Sequence, residues 1–104
     1  MKPAKNNERS LQAIIVNALN LLGFIVIHIP NQYSRGRIRD AGFVSGAPDL
    51  IVLKKGRVWF LEVKTKTGWV RPSQKLFAER LRQQGFDYFV VRNLDDALKA
   101  VGYG

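Results

Sequence analysis

The chain has 104 residues, of which 46% are hydrophobic and 24% charged, the balance of one ordinary globular domain spanning 1–104 with room for a single core. It contains no cysteine, which excludes a disulfide framework and a thiolate zinc site and is compatible with a reducing cytoplasm. Seventeen Lys and Arg against eight Asp and Glu leave a formal charge of +9; such a field draws polyanions by releasing their counterions, so nucleic acid leads the candidate partners.

In chain order, Met1 to Asn7 offers no apolar segment for a signal peptide, and no later run is long enough to span a bilayer, so neither export nor membrane insertion is expected. From Glu8 to Leu22 the apolar positions Leu11, Ile14, Ile15, Ala18, Leu19 and Leu22 follow the spacing of one helix face, stopped by Gly23. Phe24 to Ile29 reads as a short strand ended by Pro30. Asn31 to Ala47 carries Arg35, Arg37 and Arg39 among glycines and serines without a sustained period, and reads as a long loop. Asp49 to Leu53 and Arg57 to Val63 form a hairpin around Lys54-Lys55-Gly56, and the second arm, with Trp59 and Leu61 on one side and Val58 and Phe60 on the other, is expected to be buried on both faces. A basic loop, Thr65 to Arg71, leads to a helix begun at Pro72-Ser73, buried along Phe77 and Leu81 and stopped by Gly85. Phe86 to Val91 is a further strand, and Asn93 caps a last helix with Asp95 and Asp96 in its first turn. The order α-β-β-β-α-β-α predicts a mixed α/β fold, a sheet flanked by helices.

The hairpin carries the chemistry. If Lys55-Gly56 is its turn, Lys54 faces Arg57, and counting outward along both arms brings Asp49 opposite Glu62 on one face, with Cβ atoms about 4.5–5.5 Å apart. Lys64, two residues further, shares that face. Two ionised carboxylates so close are costly in an apolar sheet unless a cation or a proton compensates. Magnesium or manganese suits oxygen ligands, binds phosphate, and lowers the pKa of water. Lys64 could orient that water or stabilise charge on the phosphorus.

Taken singly, these residues have plainer roles: Asp49 after Pro48 as a turn residue, and Glu62 with Lys64 as a surface pair. Glu8 projects from the core-facing stripe of the first helix and could be a third metal ligand, or a first-turn residue favoured by the helix dipole with Asn6 or Asn7 as cap. Gln74 shares a face with Phe77 and Leu81; its amide could position water or phosphate, or be a solvated helix-start residue. His28 reads as a half-exposed strand residue, and Ser45 and Ser73 have no histidine placed to activate them.

Gly46-Ala47-Pro48-Asp49-Leu50-Ile51 and Glu62-Val63-Lys64-Thr65-Lys66-Thr67-Gly68, with Glu8 leading the first helix and Gln74 the second, resemble the VRR-NUC family of the PD-(D/E)xK nuclease superfamily. The likeness runs through Phe89-Val90-Val91-Arg92 and covers nearly the whole chain. It implies a restriction-endonuclease-like fold and a magnesium- or manganese-dependent endonuclease in which Glu8, Asp49, Glu62 and the Val63 carbonyl hold metal, while Lys64 and Gln74 support water and phosphate. Without an accessory domain, the chain resembles the free-standing, phage-type members, which implies a homodimer cutting branched DNA in the manner of Holliday-junction resolvases or flap nucleases, in the cytoplasm. Arg35, Arg37, Arg39, Lys66, Trp69 and Arg71 lie on loops adjoining that site and are expected to grip DNA phosphates without reading bases. The competing readings are a binding module without catalysis, which leaves the facing carboxylates unexplained, and a sequence-specific restriction-type endonuclease, for which there is little room.

Overall fold

The computed structural model describes residues 5–30 and 45–103. Within them the elements follow the expected order: α1 (Lys5–Leu21), β1 (Ile25–His28), β2 (Leu50–Lys54), β3 (Arg57–Val63), α2 (Pro72–Gln83), β4 (Asp87–Val91) and α3 (Leu94–Ala100). The strands form one sheet in the order β1-β2-β3-β4. β1, β2 and β3 are antiparallel neighbours, and β4 runs parallel to β3. A tight turn can join only antiparallel strands, so the parallel pair is reached by the crossover through α2.

One face of the sheet holds the core. Ile15 and Leu19 of α1, Leu50 and Val52 of β2, Trp59, Leu61 and Val63 of β3, Val91 of β4, and Ala97 and Val101 from α3 and its end form one buried cluster with Phe24. The alternate positions of β3 point to the other face: Val58 and Phe60 are only half-buried, whereas Glu62 is fully buried. The expectation that β3 is covered on both sides therefore holds at its C-terminal end. On α2 the buried residues are Gln74 and Ala78, with Phe77 and Leu81 half-buried, because the line that meets the sheet ends at a polar contact.

Local chemistry fixes the element ends. Gly23, at φ 93°, takes the left-handed conformation that closes α1, and Lys54 Nζ donates to the Leu22 carbonyl at 2.9 Å. Asn93 accepts from Asp96 N at 2.7 Å to cap α3. No helix among the described residues is long and apolar enough to cross a membrane.

Candidate active site

The site begins at the β2–β3 turn. Lys55 at φ 49° and Gly56 at φ 82° are both left-handed, the conformation of the two-residue turns that match strand twist. The ladder pairs Lys54 with Arg57 and continues to Leu50 with Leu61; one step further out Asp49 stands opposite Glu62. They are 5% and 2% exposed, on the face opposite the apolar core. Asp49 Oδ2 accepts from the Val63 backbone N–H at 2.8 Å, so the carboxylate also closes the end of the ladder.

Gln74 completes the pair from above. It is buried, at the third position of α2, and its two amide atoms have separate tasks: Oε1 accepts from Arg71 N at 2.9 Å, while Nε2 donates to Glu62 Oε2 at 2.9 Å. It is neither solvated nor free to roam. The approach of α2 depends on Gly46, which has φ 84° and where a Cβ would lie 2.2 Å from the Ser73 carbonyl oxygen. No side chain fits there, so the segment leading to Asp49 can pass directly against the start of α2.

Lys64, also buried, places Nζ 3.5 Å from Glu62 Oε2. The other oxygen, Glu62 Oε1, is buried and receives no hydrogen bond among the described residues. Burial, reinforced by the charge of Asp49, raises the Glu62 pKa to about 8, with Lys64 opposing the shift. Burial likewise raises Asp49, against the opposing hydrogen bond from Val63. Burial and mutual repulsion therefore make the pair hold a proton more tightly than isolated carboxyls do.

Glu8, at the start of α1, is half-buried; its pKa is raised by desolvation and by Asp49, with Lys64 and Arg71 acting the other way. It thus shares the electrostatic environment of the pair. Among the described residues no three acidic or histidine side chains are already gathered around one point, so Glu8 stands beside the pair without closing onto it. The donors nevertheless fit a hard divalent cation: they are all oxygens, one is buried without a partner, and two neighbouring carboxyls are short of compensating charge.

Of the expected nucleic-acid contacts, Lys66 and Arg71 are exposed and Trp69 is 68% exposed. Arg35, Arg37 and Arg39 lie outside the described residues. His28 is exposed on the edge strand β1. Sequence reasoning missed the role of Arg92, which follows β4 and reaches across the sheet end. Its Nη1 donates to the carbonyls of Thr65 at 2.6 Å, Gly68 at 3.0 Å and Lys66 at 3.3 Å. It also missed Tyr88, whose buried hydroxyl has no hydrogen-bond partner among the described residues and whose pKa is raised by burial and then by Glu62. No local pattern announces either residue, because both act through contacts distant in sequence.

The comparisons with known proteins agree with this geometry. The VRR-NUC domain family matches residues 5–93. A solved VRR-NUC domain superposes with a TM-score of 0.69 at 32% identity, covering 90% of this chain and 92% of that one. A second VRR-NUC domain protein gives 0.63 at 21% identity, covering 90% and 84%, and supports the fold. The crossover junction endodeoxyribonuclease Hjc of Sulfurisphaera tokodaii is 29% identical over 93 residues, which are 89% of this chain but span 57% of that protein. With the fold, the facing Asp49 and Glu62 and the match over residues 5–93 in agreement, the chain belongs to the VRR-NUC domain family.

Proposed function

We propose that this protein is a divalent-metal-dependent endonuclease that hydrolyses phosphodiesters of branched DNA. The observation that carries the reading is the buried Asp49–Glu62 pair with an undonated oxygen and a lysine at 3.5 Å, in a chain of charge +9. A module that only binds DNA gains nothing from burying two carboxylates where phosphate must approach. The relative named for crossover junctions supports branched DNA as substrate.

Asp49, Glu62 and Glu8, with the Val63 carbonyl, would hold magnesium or manganese, which supplies Lewis acidity and eases deprotonation of the attacking water. The protein's own groups do the rest. Asp49 is fixed by the Val63 N–H, and Gln74 holds Glu62, so neither carboxylate must reorganise when substrate arrives. Lys64, buried beside Glu62, offers its ammonium to the water or to the phosphoryl oxygens as negative charge grows on them. Water oxygen bonds to phosphorus and gives up one proton to solvent, the bond to the leaving sugar oxygen breaks, and that oxygen takes up one proton from solvent.

The protein acts as a homodimer in the cytoplasm, one copy for each strand of a junction.

The test is cleavage of labelled four-way junction, flap, single-stranded and duplex DNA, with magnesium, manganese or chelator, by wild type and Glu62→Gln. Metal-dependent cutting of branched DNA, lost in the variant, is expected. Tight binding without cutting of any substrate would leave only a binding module.

A further inference from the structure

We infer that Arg92 is a positioning residue that locks the Thr65–Gly68 loop, so that Trp69 stands out as a stacking platform for an unpaired nucleobase next to the scissile phosphate. The inference rests on the nuclease reading above and deepens it, because it names the feature of branched DNA that this site detects.

The two tryptophans have opposite settings. Trp59 is 4% exposed and packs edge-on against Phe24 at 5.8 Å, whereas Trp69 is 68% exposed. An exposed indole offers a flat apolar face on which a nucleobase can stack. Lys66 before it and Arg71 after it in the chain are both exposed, and an aromatic ring in a basic segment is how a single strand is held, with phosphates on the charges and a base on the ring. Helical DNA with every base stacked offers no free face to such a ring, so the platform responds only where pairing is broken.

A platform works only if its loop is rigid, and the loop is short of internal bonds: Gly68 N to Thr65 O, at 3.0 Å, closes the turn. Arg92 supplies the remainder. One guanidinium nitrogen draws the carbonyls of Thr65, Lys66 and Gly68 to itself. Its own backbone N–H is tied to Asp96 Oδ2 at 3.0 Å, so the arginine is anchored to the start of α3. Gly68 belongs to the same arrangement, since a Cβ there would come within 3.2 Å of Thr65 N. The loop leaves β3 directly after Lys64 and folds back on it, a Cβ at Gly68 falling 3.4 Å from the Lys64 Cβ, so the residue before the platform lies against the proposed site.

The test is DNA binding by the full chain in chelator, comparing a fork with unpaired arms and a fully paired duplex of equal length, with Trp69 emission as a second readout. Trp69→Ala should weaken fork binding by about 5- to 100-fold and duplex binding much less, so that the preference for the fork is lost, and Trp69→Phe should retain most of the preference. Fork DNA, unlike duplex, should quench the wild-type emission. Arg92→Ala should lose the same preference, Arg92→Lys should restore part of it, and Arg92→Ala with Trp69→Ala should do little more than either alone, since both act on one contact. Equal weakening on fork and duplex, additive effects of the two substitutions, or a Trp69→Ala protein whose defect is a change in oligomeric state would each overturn the inference. A wild type that binds neither DNA would overturn the nuclease reading and this one with it. A wild type that cuts branched DNA while Trp69→Ala cuts it equally well would overturn this inference alone.

Discussion

Removing the charge of Glu62 should make the metal-free protein more stable at alkaline pH. The carboxyl titrates near 4.5 when exposed and near 8 in the folded chain, so the folded state binds the extra proton between those values. Stability must then fall as pH rises through that window, being fully present below 4.5 and lost as pH passes 8. At about 1.4 kcal/mol per pH unit, the loss between pH 5 and pH 9 is on the order of 4 kcal/mol, a large share of the roughly 5–15 kcal/mol that holds a typical domain together. Glu62→Gln keeps the size and the hydrogen-bonding capacity toward Gln74 but has no proton to lose. Urea unfolding in chelator across that pH range should show a steep decline for wild type and a much shallower one for the variant, leaving Glu62→Gln the more stable at pH 9. Magnesium or manganese added at pH 8 should recover stability in wild type only. Parallel pH profiles for the two proteins would refute the argument that burial and Asp49 hold the proton on Glu62.

Asp49→Asn and Asp49→Ala should both abolish cleavage, but only the alanine variant should also lose about 1–3 kcal/mol in urea unfolding, because it leaves the Val63 N–H buried without an acceptor. Gly46→Ala should destabilise by about 2–4 kcal/mol in the same assay, since the new methyl would meet the Ser73 carbonyl and the backbone is left-handed, with cleavage falling as Asp49 and Gln74 lose their spacing. Lys66→Ala and Arg71→Ala should weaken DNA binding and each reduce the slope of log affinity against log salt by about one, read from a salt titration in chelator.

The hairpin was legible because its information is local. A Lys-Gly turn followed by two apolar arms fixes the register, and the register alone brings Asp49 to Glu62, as the ladder from Lys54–Arg57 to Leu50–Leu61 bears out. For Glu8 the helical stripe gave the side of α1 it lies on, and the field of Asp49 reaches it there, but the stripe does not choose between a metal ligand and a first-turn residue favoured by the helix dipole. Gln74 was only half legible: its face could be read from Phe77 and Leu81, but its two partners, Arg71 N and Glu62, depend on how α2 lies on the sheet. Arg92 was invisible as a clamp, because the three carbonyls it gathers are backbone atoms 24–27 positions earlier, and any residue type supplies a carbonyl.

The two arms of the hairpin have a consequence for how such a chain can diverge. Measured from the turn, Asp49 and Glu62 sit equally far out, so the hairpin acts as a ruler with matched scales. Residues gained or lost within the turn leave the scales aligned wherever the new turn still pairs Lys54 with Arg57. A single residue gained or lost in one arm slides one scale against the other. Glu62 would then be exchanged for Leu61 or Val63 opposite Asp49, a side chain would be driven to the wrong face, or a bulge would have to absorb the difference. Gaps in related chains should therefore collect at Lys55-Gly56 and avoid both arms, even at exposed positions such as Arg57 that no reacting group touches.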